Sequence, residues 1–213
     1  MEIRDKIKDI VGENMFTDCP ASNEFINGAI AEVCDKAPVD LLIKYHNGAA
    51  VELNNSPKTL DVAGNRVLAV LREDSANVLR DAMEVNEVDF RTKYDNSGSS
   101  FKATDLTPVW STIKGVLNVS PEPDATDSAF VYRFTYPSTD WANSSSVAIP
   151  GVPAELEQAI LFRAAISIIQ SYVSNAVQDD EDSEMQTMLN GQLQSLNASY
   201  QLEMDKFLKG EAS

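Results

Sequence analysis

The sequence predicts an α+β protein: a helical bundle built from the N- and C-terminal helices, with an inserted, mainly antiparallel β domain. In the first 48 residues, and again after residue 149, apolar residues recur at steps of three and four, as on one face of a helix. Between these regions the apolar runs are short and several alternate with a period of two, which is typical of strands. We therefore assign residues 1–48 and 149–213 to the helical bundle domain and residues 49–148 to the inserted β domain.

The longest apolar, helix-patterned run in the chain extends from residue 149 to residue 177. Pro153 suits the first helical position, where its missing N–H costs nothing. Two apolar rows follow, and such a broad apolar girdle predicts burial in a core or in a subunit contact. Arg163 interrupts the run, and it needs either a carboxylate or a position at the helix rim with its charge in water; we favour the rim. The residues that we assign to this packing row are Phe162, Ile166, Ile169 and Val173.

Four other helical segments are predicted, and residues such as glycine and proline mark where most of them end. Gly12 ends a short amphipathic helix over 2–11, and Pro38 separates a helix over 23–36 from a continuation over 39–45. The dipeptide Asn47-Gly48 gives a C-cap signal beyond that continuation. The last helix is predicted over about residues 183–208, directly after an acidic run at 179–184.

The β domain contains several strand patterns. Residues 51–53 and 65–72 are predicted strands, and the second is apolar on both faces and therefore central. A hairpin is expected around Lys114-Gly115. The strongest strand covers 129–136, where Phe130, Tyr132 and Phe134 alternate with smaller or polar residues. We predict that this aromatic face contributes to a sheet core.

The net charge and the number of cysteines argue against several classes of protein. The 213 residues include 33 acidic and 17 basic side chains, a formal net charge of −16. This charge argues against a nucleic-acid-binding surface, which needs clustered Lys and Arg, and disfavours an anionic membrane. Two cysteines in a chain of this length predict reduced thiols rather than a disulfide framework. We expect no secretory signal at the charged N-terminus and no transmembrane helix.

No constellation in the sequence predicts catalysis. The single histidine, His46, lies beside a glycine at a predicted helix end, and no G-x-S-x-G elbow accompanies it. The acidic run at 179–184 lacks the sixth-position glycine of an EF-hand. No Walker A or G-x-G-x-x-G motif is present. We therefore expect no enzymatic activity, no cofactor and no metal.

Four blocks of sequence resemble the head-to-tail connector, or adaptor, proteins of tailed bacteriophages. The class includes the tail tubular protein A type, so the resemblance implies a β domain set into a helical bundle. Together the four blocks span about residues 20–205, and their motifs are packing and turn motifs. The blocks are Phe25-Ile26-Asn27 with Lys36-Ala37-Pro38 and Asp40-Leu41-Leu42; Thr107-Pro108-Val109-Trp110 with residues 115–123; Phe134-Thr135-Tyr136-Pro137; and Ile149-Pro150 with residues 152–157.

The resemblance implies a structural virion protein made in the host cytoplasm and located at the head–tail junction. It implies a ring, commonly twelvefold, that lies below the portal protein, extends the DNA channel and gives a tail or nozzle protein its docking surface. DNA would pass the lumen without specific binding. Family members often dock on the portal through their C-terminal segment, which here is the end of the last helix with Lys206, Phe207, Leu208 and Lys209.

Two alternatives remain open at this stage. One is a tail-completion or tail-terminator protein of the same neck. The other, from a different class, is a cytosolic enzyme or ligand-binding protein with its site in the β domain.

Overall fold

A computed structural model describes residues 1–44, 50–96, 98–141, 143–176 and 183–208. The chain divides into two compact units, one formed by residues 1–45 with 136–213 and the other by residues 46–135. The first unit is helical and the second contains two β-sheets, so the α+β class predicted from the sequence is confirmed. Several sequence predictions, those for His46, the run at 179–182 and Lys209, lie outside the described residues.

The helices follow the predicted stop signals closely. α1 ends before Gly12, whose φ of 93° favours glycine. α3 ends before Ala37, which is extended ahead of Pro38. One five-residue helix, α2, was not predicted. In chain order the helices are α1 (Ile3–Val11), α2 (Glu13–Thr17), α3 (Ser22–Lys36), α4 (Val39–Ile43), α5 (Glu87–Asp89), α6 (Glu157–Ala176) and α7 (Ser183–Leu208).

α6 is the central helix of the helical unit. It packs against α1, α2, α3 and α7. Because it has neighbours on so many sides, most of its two apolar rows is buried, from Leu156 just before its start to Ile169; Phe162 is half-buried. Polar contacts add to this packing: Lys6 of α1 pairs with Glu157 at 2.6 Å, and Gln192 of α7 donates to the carbonyl of Ile10 at 2.8 Å.

The segment from residue 136 to 148 belongs to the helical unit, whereas the sequence assigned it to the β domain. Asn27 of α3 holds it: its Oδ1 accepts from the Trp141 indole N–H at 2.9 Å and from the Thr139 N–H at 3.2 Å. Farther along, the carbonyl of Ser146 accepts from the Ile3 N–H at 2.9 Å. These contacts are distant in sequence, so no local pattern could place the boundary at residue 136.

Two four-stranded sheets form the β unit. The first has the strand order β1-β8-β3-β4 and the second β2-β7-β6-β5; all pairs are antiparallel except β5 with β6. The predicted hairpin is confirmed, with Lys114 and Gly115 both at positive φ, as a tight two-residue turn requires. The strands are β1 (Val51–Leu53), β2 (Leu60–Asp61), β3 (Asn65–Glu73), β4 (Leu79–Asp81), β5 (Met83–Glu84), β6 (Val109–Ile113), β7 (Val116–Ser120) and β8 (Ala129–Thr135).

The core of the β unit lies between the inner faces of the two sheets. On β8 the core residues are Ala129 and Val131, which join side chains such as Val70 of β3 and Leu117 of β7. The aromatic residues of β8 alternate with these and do not belong to this cluster. Phe134 is nevertheless buried, at 2% exposed, as predicted for a core residue, whereas Phe130 and Tyr132 are half-buried. An alternating pattern shows that the two faces of a strand differ. When both faces carry apolar residues, as on β8, the pattern does not show which face points into the core.

Candidate functional site

The packing row predicted on α6 is largely inside the chain. Ile166 is 2% exposed and Ile169 is 0% exposed, while Phe162 and Val173 are half-buried nearer the solvent side. The breadth of the apolar girdle is therefore explained by packing against four helices of the same chain. Within this row, the part that the chain itself leaves accessible is Phe162 and Val173.

Arg163 has a carboxylate partner, contrary to the expectation that it simply reaches water. Its Nε lies 2.5 Å from Oε2 of Glu32 on α3, and its side chain is 26% exposed. Glu32 also accepts from Lys36 at 2.7 Å. Burial alone would raise the pKa of Glu32, but the hydrogen bonds from Lys36 and Arg163 lower it below its ordinary value. Glu32 is therefore held ionised between two cations.

The same network reaches the last helix. The Lys36 Nζ atom lies 5.7 Å from the centre of the Tyr200 ring and 3.4 Å from its hydroxyl. Tyr200 is buried, so this cation–π contact joins α3 to the apolar stripe of α7. The polar network around α6 thus connects α3, α6 and α7.

The predicted C-terminal docking segment is only partly described. Lys206 is mainly exposed and pairs with Glu203 at 2.6 Å along α7. Phe207 is half-buried, and Leu208 is the last residue of the helix. Lys209 lies outside the described residues. One turn earlier, Met204 is buried. The last described turn therefore passes from core residues to exposed charge.

Negative charge is concentrated in the helical unit. Residues 1–45 with 136–213 contain 20 acidic and 8 basic side chains, against 13 and 9 in residues 46–135. The helical unit thus carries a formal net charge of −12 and the β unit −4. A surface with this excess repels polyanions and attracts basic partners.

The described residues show no arrangement suited to metal or thiol chemistry. Within the described ranges, no group of three or more His, Cys, Asp and Glu side chains could hold a metal ion. Cys19 and Cys34 are both buried, and burial raises the pKa of the Cys19 thiol, which keeps it protonated and unreactive at neutral pH. None of the helices in the described part of the chain is long and apolar enough to cross a membrane.

Several large apolar side chains of the β unit are exposed. Met83, Phe101 and Leu106 are each more than half exposed and line one groove. Sequence reasoning missed this groove because its walls come from three separate segments. The available signal was a lone phenylalanine, Phe101, directly after a polar Gly/Ser-rich run at 95–100.

No protein-family model matches the chain, and no curated protein is significantly similar to it.

Proposed function

We propose that this protein is a head-to-tail adaptor of a tailed bacteriophage, a structural protein without enzymatic activity. Subunits form a closed ring below the portal, extend the DNA channel and offer the docking surface for a tail or nozzle protein. The ring takes its place in the virion neck after synthesis in the host cytoplasm. A twelvefold ring is the form that the sequence resemblance favours.

The observation that carries the proposal is the architecture. A helical unit assembled from both ends of the chain, with a β unit inserted between α4 and α6, is the arrangement that the resemblance to connector proteins implies. The residue blocks behind that resemblance occupy turn and packing positions. Asn27 clamps Trp141, Gly115 forms a tight hairpin, and Ile149 is buried ahead of α6.

The charge distribution supports a role on a DNA channel. DNA carries one negative charge per about 1.7 Å of its axis and binds proteins mainly through Lys and Arg. A channel wall formed by the acidic helical unit would let DNA slide without sticking. The same charge opposes spontaneous assembly, because each subunit contributes −16. We therefore expect a monomer or small oligomer in isolation, and ring closure only on the portal.

A complementation experiment tests the proposal. An amber mutation in the gene should yield DNA-filled heads and complete tails that remain separate. Purified protein added to the mixed extract should join them and restore infectivity.

The other outcomes assign other functions. Heads with tails of irregular length or unfinished ends would indicate a tail-completion or terminator protein. Normal infectious particles made without the protein would exclude a role in the virion. That result would favour a ligand-binding or enzymatic function.

A further inference from the structure

The β unit has an open apolar groove. Its exposed walls come from three segments: Met83 on β5, Phe101, and Leu106, which are 56%, 67% and 67% exposed. Ala103 and Val109, both buried, line it as well. The groove encloses about 300 Å³, enough for one or two large side chains of a partner.

The exposure of these three residues is not explained by the fold of the unit. Each is large and apolar, and burying one such side chain is worth roughly 1.5–3 kcal/mol. They lie around a single groove rather than singly across the surface, and a cluster of this kind is typical of an interaction site. None of the three belongs to the apolar core between the two sheets, which other residues form.

The charge at the groove is negative. Asp81 lines the groove, and Asp105 directly precedes Leu106 in the chain. Neither carboxylate makes an ion pair within the described part of the chain. Lys102, directly after Phe101, carries the opposite charge. Exposed charges interact over a screening length of about 8 Å at physiological salt, so an unpaired carboxylate in the groove wall favours a basic partner.

We propose that this groove docks a segment of another protein, in which a large apolar side chain is flanked by Lys or Arg. The apolar side chain enters between Phe101 and Leu106, and the basic groups pair with Asp81 in the groove wall and with Asp105 beside Leu106. Between free copies of this chain the net charge of −16 on each opposes association, so a basic partner is the better occupant. The proposal goes beyond the adaptor function and does not depend on it.

The test uses the full-length protein and a ribosome-displayed library of random dodecapeptides. Selection on the wild type, with depletion on the double variant F101S/L106S, should enrich peptides with Phe, Leu or Trp between Lys or Arg residues. A synthetic peptide with the enriched sequence is then titrated by fluorescence anisotropy. Phe101→Ser and Leu106→Ser should each weaken binding about tenfold or more, as hot-spot truncations do.

Two control variants make the test specific. Val88 is 68% exposed but does not line the groove, so Val88→Ser should leave binding unchanged. The paired change Asp81→Asn with Asp105→Asn should weaken binding about two- to fivefold and flatten its salt dependence. Circular dichroism should show that all variants remain folded, since the altered side chains are exposed except for Asp105, which is half-buried.

Three results would overturn the inference. The selection could enrich no peptide over the double variant, or it could enrich acidic peptides. Sedimentation could instead show that the wild type self-associates and that F101S/L106S does not, which would make the groove a contact between copies. That last result would leave the adaptor function intact, whereas failed complementation would leave the docking groove intact.

Discussion

Asn27→Ala should destabilise the helical unit strongly, because Asn27 fastens the returning chain to α3. Its Oδ1 accepts from Trp141 Nε1 at 2.9 Å and from the Thr139 N–H at 3.2 Å, and its Nδ2 donates to the Thr139 carbonyl at 3.2 Å. Trp141 is 1% exposed, so water cannot replace the lost acceptor. An orphaned buried donor costs about 1–3 kcal/mol, and two further hydrogen bonds are lost; we expect about 2–4 kcal/mol in all.

Asn23→Ala is the matched control. Asn23 lies one turn earlier on α3 and donates to Asp140 at 2.9 Å, but this hydrogen bond is exposed. Both substitutions gain the same helix propensity, so that contribution cancels in the comparison. We expect Asn23→Ala to lower the free energy of unfolding by less than about 1 kcal/mol.

Urea unfolding followed by far-ultraviolet circular dichroism measures the two losses. Trp141→Phe keeps a ring in the site but removes the indole N–H. In a double-mutant cycle with Asn27→Ala it should show a coupling energy of about 1 kcal/mol or more. The reasoning is refuted if Asn27→Ala costs no more than Asn23→Ala, or if the cycle shows no coupling.

Three further predictions concern the core, an acid-sensitive turn and the C-terminus. Ile166→Ala should cost about 2–4 kcal/mol because the side chain is fully buried, and Phe162→Ala less, about 1–2 kcal/mol, because it is half-buried; urea denaturation gives both. Hydrogen bonds from the side chain and backbone of Thr126 lower the pKa of Asp124 from 3.8 to about 2. A depressed pKa stabilises the fold above the unfolded value, so the advantage of the wild type over Asp124→Asn should shrink as the pH falls from about 4 to 2, measured by urea midpoints. Deleting Lys206–Ser213 should leave a folded protein, by circular dichroism, that no longer joins heads to tails; unimpaired joining would move the docking role elsewhere.

Local patterns predicted much of the helical unit. Apolar steps of three and four, together with Gly12 and Pro38, located α1 and α3 to within a residue of their ends. α2 was missed because five residues after a glycine carry too little periodicity to distinguish a helix from a turn. The broad apolar surface of α6 was visible in the sequence, but the elements that cover it were not. A helix surface covered by four helices of the same chain has the same sequence pattern as one covered by a second subunit.

Long-range contacts account for most of what the sequence could not predict. The Asn27–Trp141 hydrogen bond joins residues 114 positions apart, and the Arg163–Glu32 pair joins residues 131 apart. On β8 the inner face is decided by the partner sheet, which selects Ala129 and Val131 over the aromatic residues. The groove likewise exists only because folding brings Met83, Phe101 and Leu106 together.

Electron cryo-microscopy of the virion neck tests the central claim most directly. The map should contain a closed ring of this protein directly below the portal, with the helical unit and the β unit each fitting the density as separate bodies. The acidic helical unit should face the DNA channel. The account is contradicted if the protein is absent from the neck, or if it is present there only as a dimer without a ring.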